Sequence, residues 1–324
     1  MTFSRAMATA CAALILGAGA ALAETPVIRA AVLETGTVNW ELDTIKHYGL
    51  DAANGYTLDV QGVAGNPAAQ VAFQGGEADV IVSDWLWVAR QRAEGHDYVF
   101  VPYSKAVGGM LVPGDSEAKS LADMKGKKIG IAGGPLDKSW LILRAYAQKE
   151  YGMDLQAETE QVFGAPPLIF KTAMDGETQG AINFWHFMAK MEAAGMRQLV
   201  SVSEAALALG LDPETPLLGY VFKGEMLRDH PEVLAGFTAS SRAAKEKLAG
   251  DEEAWARLRD RMNAKNDAQF NALVAGYRAG IPGDGAVNEE AAAKMLALMA
   301  DLGGEELIGK ATTLPEGVFV QPGS

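Results

Sequence analysis

Two aspartates in this chain stand where a short apolar run gives way to a helix-forming one, and each is followed by tryptophan. The first is Asp84, after Val80-Ile81-Val82-Ser83 and before Trp85-Leu86-Trp87. The second is Asp137, after Ile129-Gly130-Ile131-Ala132 and the loop Gly133-Gly134-Pro135-Leu136, with Trp140 three residues on. β-Branched runs ended by polar residues read as buried strands. Ser or Asp at the exit reads as a helix N-cap, whose oxygen takes a free N–H of the first turn. In an open α/β sheet that exit is where small molecules are held. A carboxylate there can hold a cation, and a tryptophan beside it can stack on a planar or cationic group.

The same grammar recurs along the chain. Strand-to-helix loops are expected at Thr37 to Trp40, Gly65-Asn66 and Ser83 to Trp87, then at Gly133 to Trp140, Gly164-Ala165 and Asn183 to His186. The candidate ligand residues are therefore Thr37, Asn39, Trp40, Asn66, Ser83, Asp84, Trp85, Trp87, Gly134, Asp137, Trp140, Asn183, Trp185 and His186. Five of the six tryptophans fall in or just after these loops, and about three of them are expected to touch a ligand, since pockets are rich in aromatics. Each Asp has a plain role as an N-cap, and both roles are compatible. Backbone N–H groups at Gly65-Asn66 and Gly133-Gly134 offer an anion site. The loops carry no Arg or Lys except Lys138, so an amine, a zwitterion such as an amino-sulfonate, or a nitrogen heterocycle is favoured over a strong anion. The four histidines, His47, His96, His186 and His230, show no metal spacing.

Arg5, the apolar run Ala6 to Ala20 and the small-x-small site Ala21-Leu22-Ala23 read as a secretory signal peptide cut after Ala23. The single cysteine, Cys11, goes with it, which excludes thiolate chemistry and disulfides from the mature chain. The net charge of −13 becomes one unit more negative when Arg5 is lost. That argues against nucleic acid or an anionic membrane as partner. No later stretch is apolar enough to span a bilayer.

Alternating strand- and helix-period segments indicate α/β units with parallel strands. Three or four such units occupy residues 27 to 107. A crossing strand at Gly108 to Val112 leads to a second set, and Leu217 to Lys223 crosses back. The rest reads as helices from Pro231 to Leu248, 252–262, 266–279 and 288–301, expected to pack on the first set.

Ser120-Leu121-Ala122-Asp123-Met124-Lys125-Gly126-Lys127-Lys128-Ile129-Gly130 resembles the "S-L-x-D-L-K-G-K-K-I-G" signature of periplasmic substrate-binding proteins of ABC importers, in the nitrate, sulfonate and taurine class that also holds thiamine-precursor binders. Phe73 to Val80 is similar to that family's "L-x-x-G-x-x-D", and Tyr220-Val221-Phe222 with His230-Pro231-Glu232-Val233 to its returning strand and "H-P-E-x-V" helix. The resemblance implies the two-lobed type II periplasmic binding protein fold: an α/β sheet flanked by helices in each lobe, two crossing strands as hinge, and a cleft that closes on ligand. The expected units are a signal peptide at 1–23, a first lobe of 24–108 plus 219–324, and a second of 109–218. It also implies a monomer in the periplasm that hands its solute to a membrane permease, with no cofactor, no metal and no catalysis. The thiamine-precursor branch carries a cysteine-rich stretch near Asn183 to His186, which this chain lacks. The alternatives are an enzyme on the same fold acting on a small heterocycle, and a metal-binding periplasmic protein using Asp84, Asp137 and Glu34.

Overall fold

A computed structural model describes residues 25–320. The expected signal peptide lies outside them. Strands and helices alternate from the start: β1 (Val27–Leu33), α1 (Val38–His47), α2 (Leu50–Ala53), β2 (Thr57–Val63), α3 (Asn66–Gln74), β3 (Val80–Asp84), α4 (Trp85–Ala93) and β4 (Tyr98–Ser104). Next come β5 (Gly109–Pro113), β6 (Lys128–Ala132), α5 (Lys138–Tyr151), β7 (Glu160–Gly164), α6 (Pro166–Met174), β8 (Gly180–Ile182), α7 (Trp185–Glu192), β9 (Met196–Ser201) and α8 (Val202–Ala208). The chain ends with β10 (Leu218–Lys223), α9 (Gly224–Asp229), α10 (Pro231–Gly250), α11 (Glu252–Met262), α12 (Asp267–Ala279) and α13 (Glu289–Ile308).

Two five-stranded sheets result, ordered β2-β1-β3-β10-β4 and β7-β6-β8-β5-β9. They share one topology. In each, the odd strand is the one that arrives from the other sheet: β10 runs antiparallel to β3 and β4, and β5 antiparallel to β8 and β9. The remaining pairs flanking β1 and β6 are parallel. The chain thus passes between lobes twice, through residues 105–108 and 209–217. Lys105 and Glu214 form an ion pair between these two passages.

Local chemistry accounts for the element ends. Pro stands in the first turn of α3, α6 and α10, where its missing N–H costs nothing. Ser201 and Glu204 close a capping box on α8, and Ser120 and Asp123 close one on the 3-10 turn Leu121–Met124. The helix expected from Trp40 to Ala53 is two helices, because Gly49 takes the left-handed conformation (φ 63°) between them. Helix α8 follows β9 where no helix was expected.

The C-terminal helices do not pack on the first lobe alone. Helix α12 lies against α7 of the second lobe, and α13 packs on both α4 and α5. Ala292, Met295, Leu296 and Met299 of α13 join one apolar core with Trp85 of the first lobe and Trp140 of the second. Among the described residues no helix is long and apolar enough to cross a membrane.

Candidate functional site

The carboxyl ends of β1, β3, β6 and β8 converge on one cleft of about 240 Å³ between the lobes. Of the fourteen candidates named from sequence, Thr37, Asn66, Ser83 and Asp84 line it from the first lobe. Asp137, Asn183, Trp185 and His186 line it from the second.

Asp84 ends β3 in extended conformation (φ −86°, ψ 152°), and its Oδ1 accepts the Trp87 N–H at 2.9 Å, so it caps α4. Its Oδ2 accepts from Lys138 Nζ of the second lobe, also at 2.9 Å. Both oxygens are therefore engaged, one locally and one across the cleft. Desolvation pulls the Lys138 pKa down, but the charge and hydrogen bond of Asp84 and the charge of Asp137 outweigh it, so Lys138 is held above its ordinary value and stays charged.

Asp137 occupies the matching place in the second lobe. Gly133, at φ 95°, turns the chain out of β6 in a conformation that favours glycine, and the Asp137 side chain lies beside it. Asp137 Oδ1 caps α5 through the Trp140 N–H at 3.0 Å. No cation pairs with its carboxylate within the described residues. Burial pushes its pKa up, against the opposing pull of the Trp140 N–H and the Lys138 charge. It is the cleft carboxylate with capacity left for a ligand.

Trp185 and His186 open α7. Burial, with a smaller push from Lys190, lowers the His186 pKa to about 3, so its ring is neutral at neutral pH and offers one donor and one acceptor. Thr37 Oγ1 and Tyr103 Oη lie 3.5 Å apart on the first-lobe wall. Asn66 makes no capping bond. Gly65 is the cap residue instead, which leaves the Asn66 amide to the cleft. Asn183 spends its side chain structurally: Nδ2 donates to the Pro166 carbonyl at 2.9 Å, and Oδ1 accepts the Phe184 N–H at 2.8 Å.

Six candidates are not on the cleft wall. Trp85 and Trp140 are fully buried, in the core that α13 completes. At helix starts, a side chain that points back and inward meets the neighbouring helix rather than solvent. Trp87 stacks on Tyr98, with centroids 5.7 Å apart at 18°. Trp40 is 4% exposed and packs against Trp255, Tyr277 and Trp185. Asn39 Nδ2 donates to the carbonyls of Leu33, Glu34 and Gly36 and ties off that turn. Gly134 is not part of the lining. One tryptophan of five therefore faces the cleft, against about three expected.

Phe184, inside the expected loop Asn183 to His186, lines the cleft too; the sequence reading missed Tyr103, Leu217 and Leu218, which also line it. Tyr103 sits near the end of β4, outside the strand-to-helix loops, and the two leucines precede and begin a crossing strand. A larger concavity, about 450 Å³, lies between α10 and residues 281–285 on the first lobe alone. Its buried cation, Lys245, is already bonded to Glu41 at 2.8 Å. It lies away from the strand ends where the two lobes meet.

The family profile described as NMT1/THI5 like matches residues 48–254, more than half of the chain. The chain belongs to this family. No curated protein sequence matches it. Solved structures place the fold. The periplasmic aliphatic sulphonate binding protein SsuA of Escherichia coli superposes with a TM-score of 0.70 at 19% identity, over 91% of this chain and 92% of its own. The alkanesulfonate-binding protein SsuA of Xanthomonas axonopodis pv. citri, bound to MOPS, gives 0.69 at 16%, over 92% and 99%. A zinc-bound ligand-binding component of an ABC-type import system from Staphylococcus aureus gives 0.67 at 15%, over 92% and 97%. The expected resemblance and the two-lobed α/β fold are borne out. Among the described residues of this chain, no three His, Cys, Asp or Glu side chains converge to hold a metal ion.

Proposed function

We propose that this chain is the periplasmic solute-binding component of an ABC importer and that it captures a small organic ligand bearing a protonated or N–H nitrogen. The observation that carries the reading is the Asp137 carboxylate. It faces the interlobe cleft with one oxygen committed to the helix cap and no cation paired to it among the described residues. Trp185 and Phe184 supply flat apolar walls, and neutral His186 and Thr37 supply polar contacts. Lys138 lies beside Asp137, so an acidic group on the same molecule meets a cation, which suits a zwitterion. Asp84, already held by Lys138, plays the smaller part in holding the nitrogen.

Nothing in this arrangement is asked to make or break a covalent bond. Binding energy is spent on closing two half-sites over the solute. The test is calorimetric titration of parent and Asp137→Asn with a panel of small amines, amino-sulfonates and nitrogen heterocycles. Asn keeps the helix cap and removes the charge. Loss of a charge-assisted hydrogen bond of about 1.5 to 3 kcal/mol corresponds to roughly 10- to 100-fold weaker binding. Equal affinity of the two proteins for a nitrogen ligand overturns the assignment of Asp137.

A further inference from the structure

Side chains as well as the two chain passages fasten the second lobe to the first, close beside the passage through residues 105–108. Trp185, at the start of α7, meets Trp40 edge-on, with centroids 5.9 Å apart at 86°. Its ring also lies against Gly276 of α12, where a Cβ would stand 2.7 Å from Cζ3. Only glycine leaves that seat open. About a turn and a half along α7, Lys190 Nζ donates to the carbonyls of Met262 and Asn263, each at 3.1 Å. These carbonyls end α11, where Asn263 takes the left-handed conformation (φ 49°). Helix-end carbonyls lack partners within the helix and carry partial negative charge. A lysine from the other lobe answers both needs. The Lys138–Asp84 pair adds a third tie at the cleft.

We propose that α7 is a latch: its Trp185 and Lys190 dock on α11 and α12 and hold the lobes closed without a ligand. None of the three ties uses a solute. Opening must withdraw the Trp185 ring from its seat and exchange two charge-assisted hydrogen bonds for bonds to water, so the closed state dominates the empty protein and solute enters through a minor open state. The inference rests on the reading of the cleft as a closing ligand site, but it makes a claim about the empty protein that needs no ligand to check.

The experiment measures the interlobe distance by pulsed electron resonance in the full chain, carrying spin labels at Val71→Cys on α3 and Leu168→Cys on α6 in a Cys11→Ser background. Both label positions are exposed, at 69% and 50%. The protein is unfolded, dialysed and refolded to free it of any bound molecule. The latch predicts one short distance for the parent. Gly276→Ala fills the seat while favouring the helix, since Ala is the better helix former. Lys190→Met removes the carbonyl donor without touching the core. Each variant is expected to show a longer distance as its main population. A parent that is mainly open when empty, or variants with the parent's distribution, overturns the latch. Either result leaves the ligand assignment to its own titration.

Discussion

His186 is a neutral imidazole placed against the cleft, and that placement has a cost in acid. Its pKa is lowered to about 3 in the fold, against about 6.5 in an unfolded chain. The unfolded state therefore binds the extra proton between those two values, and stability falls as pH drops from about 6.5 toward 3. The slope of this single group is at most about 1.4 kcal/mol per pH unit. Urea titrations at pH 7 and pH 4.5 check this. His186→Gln should lose less stability than the parent over that interval, and an equal loss contradicts the burial of a neutral ring. At this scale the sequence was informative where chemistry is local. Asp84 and Asp137 were legible as caps because capping needs only neighbours in sequence. The Lys138–Asp84 bond was not, because it joins residues of different lobes. The tryptophans misled for a related reason. Position at a helix start does not say whether the ring faces the cleft or the layer beneath, and for Trp85 and Trp140 the layer is completed by a helix some 150 residues or more away in sequence.

Elements are joined behind the cleft by a buried polar knot. Glu41 of α1 is fully buried and accepts from Tyr220 of β10 at 2.8 Å, Ser241 and Lys245 of α10 at 2.6 and 2.8 Å, and Tyr277 of α12 at 2.9 Å. Lys245 also sits 5.0 Å from the ring centroid of Tyr103, which lines the cleft. Burial draws the Lys245 pKa down against the pull of Glu41, and burial beside Glu41 drives the Tyr220 and Tyr277 hydroxyls well up, so both remain protonated donors. The knot fixes the returning strand β10 to three helices. Glu41→Gln leaves a buried ammonium without its counter-charge and should destabilise the fold by about 3 to 5 kcal/mol. Glu41→Gln with Lys245→Met should cost clearly less than the sum of the two single changes, read as a coupling in chemical denaturation. Additive losses contradict a shared network. No sequence pattern announced this knot. Glu41 lies in the first turn of an amphipathic helix, where an acidic residue ordinarily faces water and favours the helix dipole. The elements themselves were far more legible, since period and breakers are local. Where they were misjudged, as at Gly49 and α8, the deciding contacts are short-range turns that composition alone does not rank.

At the scale of the molecule, topology makes the site. Each sheet receives a strand from the other lobe, so two short passages join bodies that present their strand ends to one another. The alternation of strands and helices and the two crossing strands were visible in sequence, because each parallel unit repeats the same strand–turn–helix grammar. The bridging by α12 and α13 was not, because an apolar helical stripe does not name the surface it covers. The central claim is that this cleft takes up a small nitrogen-bearing solute and releases it unchanged. The most direct measurement is native mass spectrometry of the full chain expressed for export and purified without denaturation, repeated after unfolding. The account predicts a mass excess on the folded protein that unfolding releases as one small nitrogen-containing molecule, and predicts that Asp137→Asn carries less of it. A folded protein that carries only a metal ion, or that returns an added candidate chemically altered, would contradict it.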